Sequence, residues 1–282
     1  MFFHIFMSCA DHPMVLALRP EPGAINVMHA FHSDDMRSWT HKGAMAYGVS
    51  SLGLDKVEEG LRITLIQEVR PPTWWEQVWT SKVYGYIYDG QSLSPKDWAV
   101  HDSQATAMID PQFYNGAYWY ISPPKGIVDP ARSDTPIPIR NSQTEAPLYE
   151  APRLADPSPV LFNQERHVFA TQNGSVLQLS GDPLRPVDKH PGQNSLFNGT
   201  TVPFATVIDD TLILLAQRNV NGRRLPVISS SADGKQWSQW KPIQPMPKEL
   251  HACTSPVMGE DPAGGYILFC INEKPPPVNF KP

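Results

Sequence analysis

Apolar positions along the chain come in short runs, several of which alternate with polar positions, and turn residues close each run. Leu61-Arg62-Ile63-Thr64-Leu65 and Ser175-Val176-Leu177-Gln178-Leu179 have the two-residue period of half-buried β-strands. Ile109-Asp110-Pro111-Gln112-Phe113-Tyr114 passes through Asn115-Gly116 into Ala117-Tyr118-Trp119-Tyr120, a strand, a tight turn and a second strand. The unit recurs. Asp156-Pro157-Ser158-Pro159-Val160-Leu161-Phe162 leads through Asn163-Gln164-Glu165-Arg166 into His167-Val168-Phe169-Ala170. Thr201-Val202-Pro203-Phe204 leads through Ile208-Asp209-Asp210 into Thr211 to Leu215, and Ser255-Pro256-Val257-Met258 through Gly264-Gly265 into Tyr266 to Phe269. Starts near residues 110, 156, 201 and 255 give a loose period of the length used by repeat architectures.

A second repeated piece falls elsewhere in the period. Ser33-Asp34-Asp35-Met36-Arg37-Ser38-Trp39 and Ser231-Ala232-Asp233-Gly234-Lys235-Gln236-Trp237 share Ser, then Asp, then Trp at equal spacing, with a weaker copy in Ser94-Pro95-Lys96-Asp97-Trp98. Ser and Asp side chains fold such a turn onto its own backbone amides, and the Trp covers the hairpin from one side. The turn is similar to the Asp box of sialidases, a structural feature of propeller blades. Blades are expected to start near Gly53, Asp110, Asp156 and Thr201, with Ser122 to Pro138 as a Pro-rich excursion within the third. The terminal hairpin 255–270 is too short for a blade and calls for N-terminal strands to complete it. Residues 1–282 are therefore expected to form one all-β domain, a five-bladed β-propeller closed by N- and C-terminal strands in one blade. Six blades follow instead if residues 1–50 make a complete blade alone.

Composition narrows the class. The 282 residues are 41% hydrophobic and 18% charged, with a formal net charge of -5 and scattered Lys and Arg, which argues against a nucleic-acid partner. Thirty prolines leave no long amphipathic stripe of helical period between them. No apolar run reaches the length of a membrane span, and Met1 to Met7 is apolar but lacks the basic start of a signal peptide. Cys9, Cys253 and Cys270 all lie close to a terminus, so a disulfide between Cys9 and either of the other two would staple the closure; the alternative is three buried thiols. Asn173-Gly174-Ser175 and Asn198-Gly199-Thr200 are glycosylation sequons as well as Asn-Gly turns. With the cysteine placement they point to the secretory pathway or the outside of the cell, with a cytoplasmic location as the other reading.

Ile109-Asp110-Pro111-Gln112 followed by Gly116-Ala117-Tyr118-Trp119-Tyr120 resembles the blade start of five-bladed propeller glycoside hydrolases of families 43 and 32, and Ala10-Asp11-His12-Pro13 looks like their first-blade acid. The resemblance implies three carboxylates around one axis: Asp11 as base, Asp110 as the group that tunes a neighbour's proton affinity, and Asp156 at the place of the acid. Hydrolysis needs a deprotonated group for water and a protonated one for the leaving oxygen, several Å apart. Ala155-Asp156-Pro157 stands where those enzymes have Glu-Gly-Pro, one methylene shorter, and His12 is inserted before its proline. A displacement near 1 Å can cost about a hundredfold in rate. The plain structural role for Asp110 and Asp156 is to cap a first strand, as Asx residues do before proline. The histidines show no metal spacing, and a central calcium has no compact run of oxygen ligands behind it, so no cofactor or metal is expected. Phosphate-loop, nucleophile-elbow and dinucleotide fingerprints are missing from the sequence.

Aromatic residues crowd the early blade starts. Trp74, Trp75, Trp79, Tyr118 and Trp119 suit the faces of sugars and equally of terpenoid or polyketide skeletons, and they also suit packing between blades. Three readings follow, each taking a small molecule or glycan. One is an enzyme that uses the central pocket without an intact carboxylate trio, such as a natural-product cyclase. That reading is in line with a general resemblance to fungal hetero-Diels–Alder cyclases. The others are a glycoside hydrolase with an altered acid and a lectin-like glycan binder.

Overall fold

The computed structural model describes residues 6–7, 14–19, 27–32, 38, 40–47, 49–57, 60–69, 80–88, 93–96, 109–115, 117–124, 127, 130–144, 146–187, 197–220, 223–243, 253–260 and 266–272, with side chains chiefly in 114–243. The first sheet holds β1 (Phe6–Met7), β2 (Met14–Arg19), β3 (Val27–His32) and β4 (Thr40–Tyr47). The second holds β5 (Val49–Val57), β6 (Gly60–Val69), β7 (Thr80–Tyr88) and β8 (Leu93–Lys96). The third holds β9 (Ile109–Tyr114), β10 (Ala117–Ile121), β11 (Pro136–Asn141) and β12 (Tyr149–Pro152). The fourth holds β13 (Leu154–Phe162), β14 (Glu165–Gln172), β15 (Ser175–Ser180) and β16 (Arg185–Pro186). The fifth holds β17 (Thr200–Ile208), β18 (Thr211–Val220), β19 (Arg223–Ser231) and β20 (Lys241–Pro242), and the hairpin β21 (Cys253–Glu260) and β22 (Tyr266–Asn272) follows.

Each sheet is an antiparallel meander of consecutive strands. The first strands β1, β5, β9, β13, β17 and β21 lie against one another in succession, so each sheet runs outward from a shared inner edge. That is the radial plan of a propeller. The chain is all-β, with five four-stranded blades and a two-stranded hairpin among the described residues. Among these residues no strand pairing joins the two ends: β1 to β4 pair with each other, as in the alternative that makes residues 1–50 a blade alone, and β21 pairs with β22. No helix among them is long and apolar enough to cross a membrane.

Strand β14 explains how neighbouring blades pack. It is buried on both faces, and its residues alternate between them. Val168 and Ala170 join Trp119, Ile121, Ile137, Ile139, Leu154 and Leu179 in a core between the third and fourth blades. Phe169 faces the other way, into a core with Val160, Phe162, Phe197, Leu212, Leu214 and Trp237 between the fourth and fifth. Trp237 meets Phe169 and Phe197 edge-on, with ring centroids 5.5 and 5.7 Å away.

Two local expectations shift. The Pro-rich excursion ends earlier than Pro138, because Pro136 and Pro138 already lie in β11, paired with Pro152 and Glu150. Ile137 and Ile139 of that strand are fully buried, and burial of this alternating pair outweighs the donors the prolines lack. In the second blade the last described strand is Leu93–Lys96, so Ser94 to Lys96 of the weaker Asp-box-like copy lie in a strand rather than a turn, and Asp97 and Trp98 lie outside the described residues.

Candidate active site

Four of the inner strands share one irregularity. The pairing of β13 with β14 slips between Ala155 and Ser158, that of β17 with β18 between Thr201 and Phe204, and that of β21 with β22 between Thr254 and Val257. Each slip spans a residue followed by proline: Asp156-Pro157, Val202-Pro203 and Ser255-Pro256. Proline has no N–H to continue the ladder, so one residue is extruded as a bulge. In β9 the pairing slips across Asp110-Pro111 in the same way. Asp110, Asp156, Val202 and Ser255 are thus equivalent positions near the heads of four inner strands.

At two of them the backbone is left-handed, with φ of 52° at both Asp156 and Val202. This conformation is uncommon for an aspartate and costly for a β-branched valine. It turns the extruded residue out of the strand's own alternation. The half-buried Asp156 carboxylate then accepts a hydrogen bond at Oδ2 from the Thr171 hydroxyl at 2.8 Å. The same hydroxyl oxygen accepts the backbone N–H of Val202 at 2.9 Å. Thr171, buried in β14, therefore ties the bulge of the fourth blade to that of the fifth. A second tie lies one step along, where the N–H of Ala205 donates to Ser158 Oγ at 3.0 Å. Oδ2 of Asp156 is thereby engaged as an acceptor by the neighbouring strand. The arrangement provides a fixed carboxyl at an inner strand head, able to take or give one proton.

Of the other residues singled out from the sequence, Asp110 and Tyr118 are placed by backbone only, in β9 and β10. Asp11, Trp74, Trp75, Trp79 and Cys9 lie outside the described residues, and Cys253 and Cys270 are placed by backbone in β21 and β22. Trp119 is buried in the core between the third and fourth blades, with the Arg166 guanidinium 5.1 Å from its ring centroid. Asn173 and Asn198 are both exposed, the first in the tight turn between β14 and β15. No group of three His, Cys, Asp or Glu side chains among the described residues is placed to hold a metal ion.

Thr171 is the site residue that sequence reasoning missed. An unbroken count back from the Asn163-Gln164 turn sets Thr171 opposite Asp156, whereas the bulge pairs Thr171 with Ala155. Also unforeseen is a cleft of about 390 Å³ between the third and fourth blades. It opens at the far ends of β9 and β13, beside Tyr114, Leu161 and Arg166. Five residues of extended strand separate Leu161 from Asp156, roughly 15 Å.

The described geometry can be set beside solved structures. The GH32 beta-fructofuranosidase of Bombyx mori aligns over 86% of this chain and 65% of its own, with a TM-score of 0.51 and 10% identity. The two share a fold. The exo-beta-1,3-galactanase of Phanerochaete chrysosporium aligns over 86% of this chain and 60% of its own, with a TM-score of 0.47 and 10% identity. The endo-arabinase of Bacteroides thetaiotaomicron aligns over 94% and 87%, with a TM-score of 0.46 and 10% identity. Enzymes named as GH43 and GH32 are among the similar structures. The chain spans less than two thirds of the length of the galactanase and of the fructofuranosidase. No family model and no curated protein matches the sequence.

Proposed function

We propose that the protein is a glycan-active enzyme of the glycoside hydrolase type, working at the heads of its inner strands with Asp156 as a proton-handling carboxyl. One observation carries this reading: Asp156 is extruded from β13 by the bulge before Pro157 and fixed there by Thr171. Its carboxylate engages a side chain that reaches on to the next blade, so the contact that fixes Asp156 also links the fourth and fifth blades. The fold shared with a fructofuranosidase is consistent with the reading and adds nothing about substrate.

In the reaction so read, water adds to the anomeric carbon as the glycosidic C–O bond breaks. The water's proton passes to a carboxylate base and the leaving oxygen takes a proton from a carboxylic acid. Asp156 stands at the acid's place, and Asp11 and Asp110 are the proposed base and tuning residue. The shorter reach of Asp156 favours substrates with a good leaving group, which need less help from an acid.

The test uses a panel of aryl glycosides and the variant Asp156→Asn, which keeps the shape and the acceptor for Thr171 while removing the proton. Cleavage by the parent protein, with a loss of at least a hundredfold in the variant on the panel members with the poorest leaving groups, is the expected result. No cleavage of any glycoside by the parent, or equal rates in both, sinks the proposal. A cyclisation that persists in Asp156→Asn and disappears in Trp75→Ala would move the activity to the aromatic-rich stretch at residues 71–79.

A further inference from the structure

We propose that the cleft between the third and fourth blades is a second ligand site, built for a neutral saccharide of one or two rings. It lies at the opposite end of the inner strands from Asp156 and is independent of the proposed cleavage there.

The cleft forms where three turns meet: Asn115 between β9 and β10, Gln164 between β13 and β14, and Gly181-Asp182 after β15. Its volume of about 390 Å³ falls within the range of small-molecule sites, about 300–1,000 Å³. The walls are fixed. The Tyr114 hydroxyl accepts the N–H of Leu161 at 2.7 Å, which joins the two blades across the cleft. Arg166 lies over the buried Trp119 ring and donates to Asp182 Oδ2 at 3.4 Å.

The charges select the ligand class. Arg166 is balanced by Asp182, and Glu165 adds a further carboxylate, so the lining carries a net negative charge that opposes an anionic guest. The remaining lining groups include the planar amides of Asn115 and Gln164. Carboxylates accept, guanidinium donates and amides do both, a mixture that matches hydroxyl groups, which themselves donate and accept. The half-buried Tyr114 supplies a ring for the C–H face of a sugar. An apolar metabolite would leave the polar lining without partners.

Gln164 and Glu165 are exposed at the rim, so Gln164→Ala with Glu165→Ala alters the cleft without touching the core. Calorimetric titration and saturation-transfer NMR of the full chain, in an Asp156→Asn background, would use sucrose, xylobiose and cellobiose as probes, with glucuronate as the anionic comparison. At least one neutral sugar is expected to bind, with affinity falling tenfold or more in the double variant while the melting temperature without ligand stays unchanged. The proposal is overturned if none of the three binds, if binding survives the double variant, or if glucuronate binds more tightly than all of them. Loss of cleavage by Asp156→Asn is read separately, so either proposal can fail without the other.

Discussion

Thr171 shows how much one side chain can settle. Its single proton goes to Asp156 and its oxygen receives the Val202 N–H, so removing the hydroxyl breaks two bonds at once. Thr171→Val keeps the volume and the β-branch. It leaves the half-buried Val202 N–H without this acceptor, at a cost of about 1 kcal/mol. Thr171→Ser keeps both bonds and should lie close to the parent protein. Urea unfolding of the two variants gives the comparison; equal midpoints for Val and Ser would mean that the bulges hold without this link. The left-handed φ at Asp156 and Val202 belongs to the same account, because a conformation that disfavours both residues persists only where its surroundings fix it.

Among the elements, the Asp-box turn is the clearest case of structure legible in sequence. The spacing in Ser231 to Trp237 predicts a turn folded on its own amides, and Asp233 Oδ1 accepts from the N–H of Lys235 at 2.8 Å and of Gln236 at 2.7 Å, and from Ser231 Oγ at 3.1 Å. Those bonds, the Gln236 amide first, hold the Asp233 carboxyl below its usual range. The hairpins were legible too, since Asn163-Gln164 and Asp209-Asp210 carry the positive φ values of tight turns. The Thr171 link and the cleft were harder to read, because they depend on how one blade packs on the next and on a bulge that resets the count. The Asp-box turn also docks across blades: Gln178 of β15 donates to the Gly234 carbonyl at 2.6 Å and accepts from Trp237 Nε1 at 3.0 Å. Its amide nitrogen also faces His167 Nδ1 at 3.5 Å, and the His167 ring sits where a Cβ on Gly234 would meet it at 3.2 Å. Burial lowers the proton affinity of His167, opposed by the nearby Glu165 carboxylate. A folded-state pKa below the unfolded value, about 6.5, means that the unfolded chain binds more protons. Stability is then full above that pH and declines as pH falls through it. Melting temperatures across pH 8 to 5 should drop in the acid half, and His167→Gln should flatten that drop. Parallel curves for parent and variant would show that this contact does not carry the dependence.

At the scale of the whole molecule, the question is what closes the ring. The inner strands follow one another from β1 to β21, so the first and last inner strands are the two that a closed ring would bring side by side. Cys9 falls two residues after β1, Cys253 opens β21, and Cys270 lies in β22. A disulfide from Cys9 to either would join the ends without any shared strand, which suits a first sheet already complete from its own consecutive strands. A loop of such length makes the stabilisation about 5 kcal/mol in the chain-entropy view, large against the total stability of a domain. Protein made in an oxidising compartment should give, on peptide mapping without reduction, a cross-linked pair containing Cys9. Cys9→Ser should then lower the melting temperature by about as much as reduction does. Recovery of Cys9 as a free thiol from such material would leave the closure to packing between β21 and the first sheet alone, and reduction would then have no effect on melting.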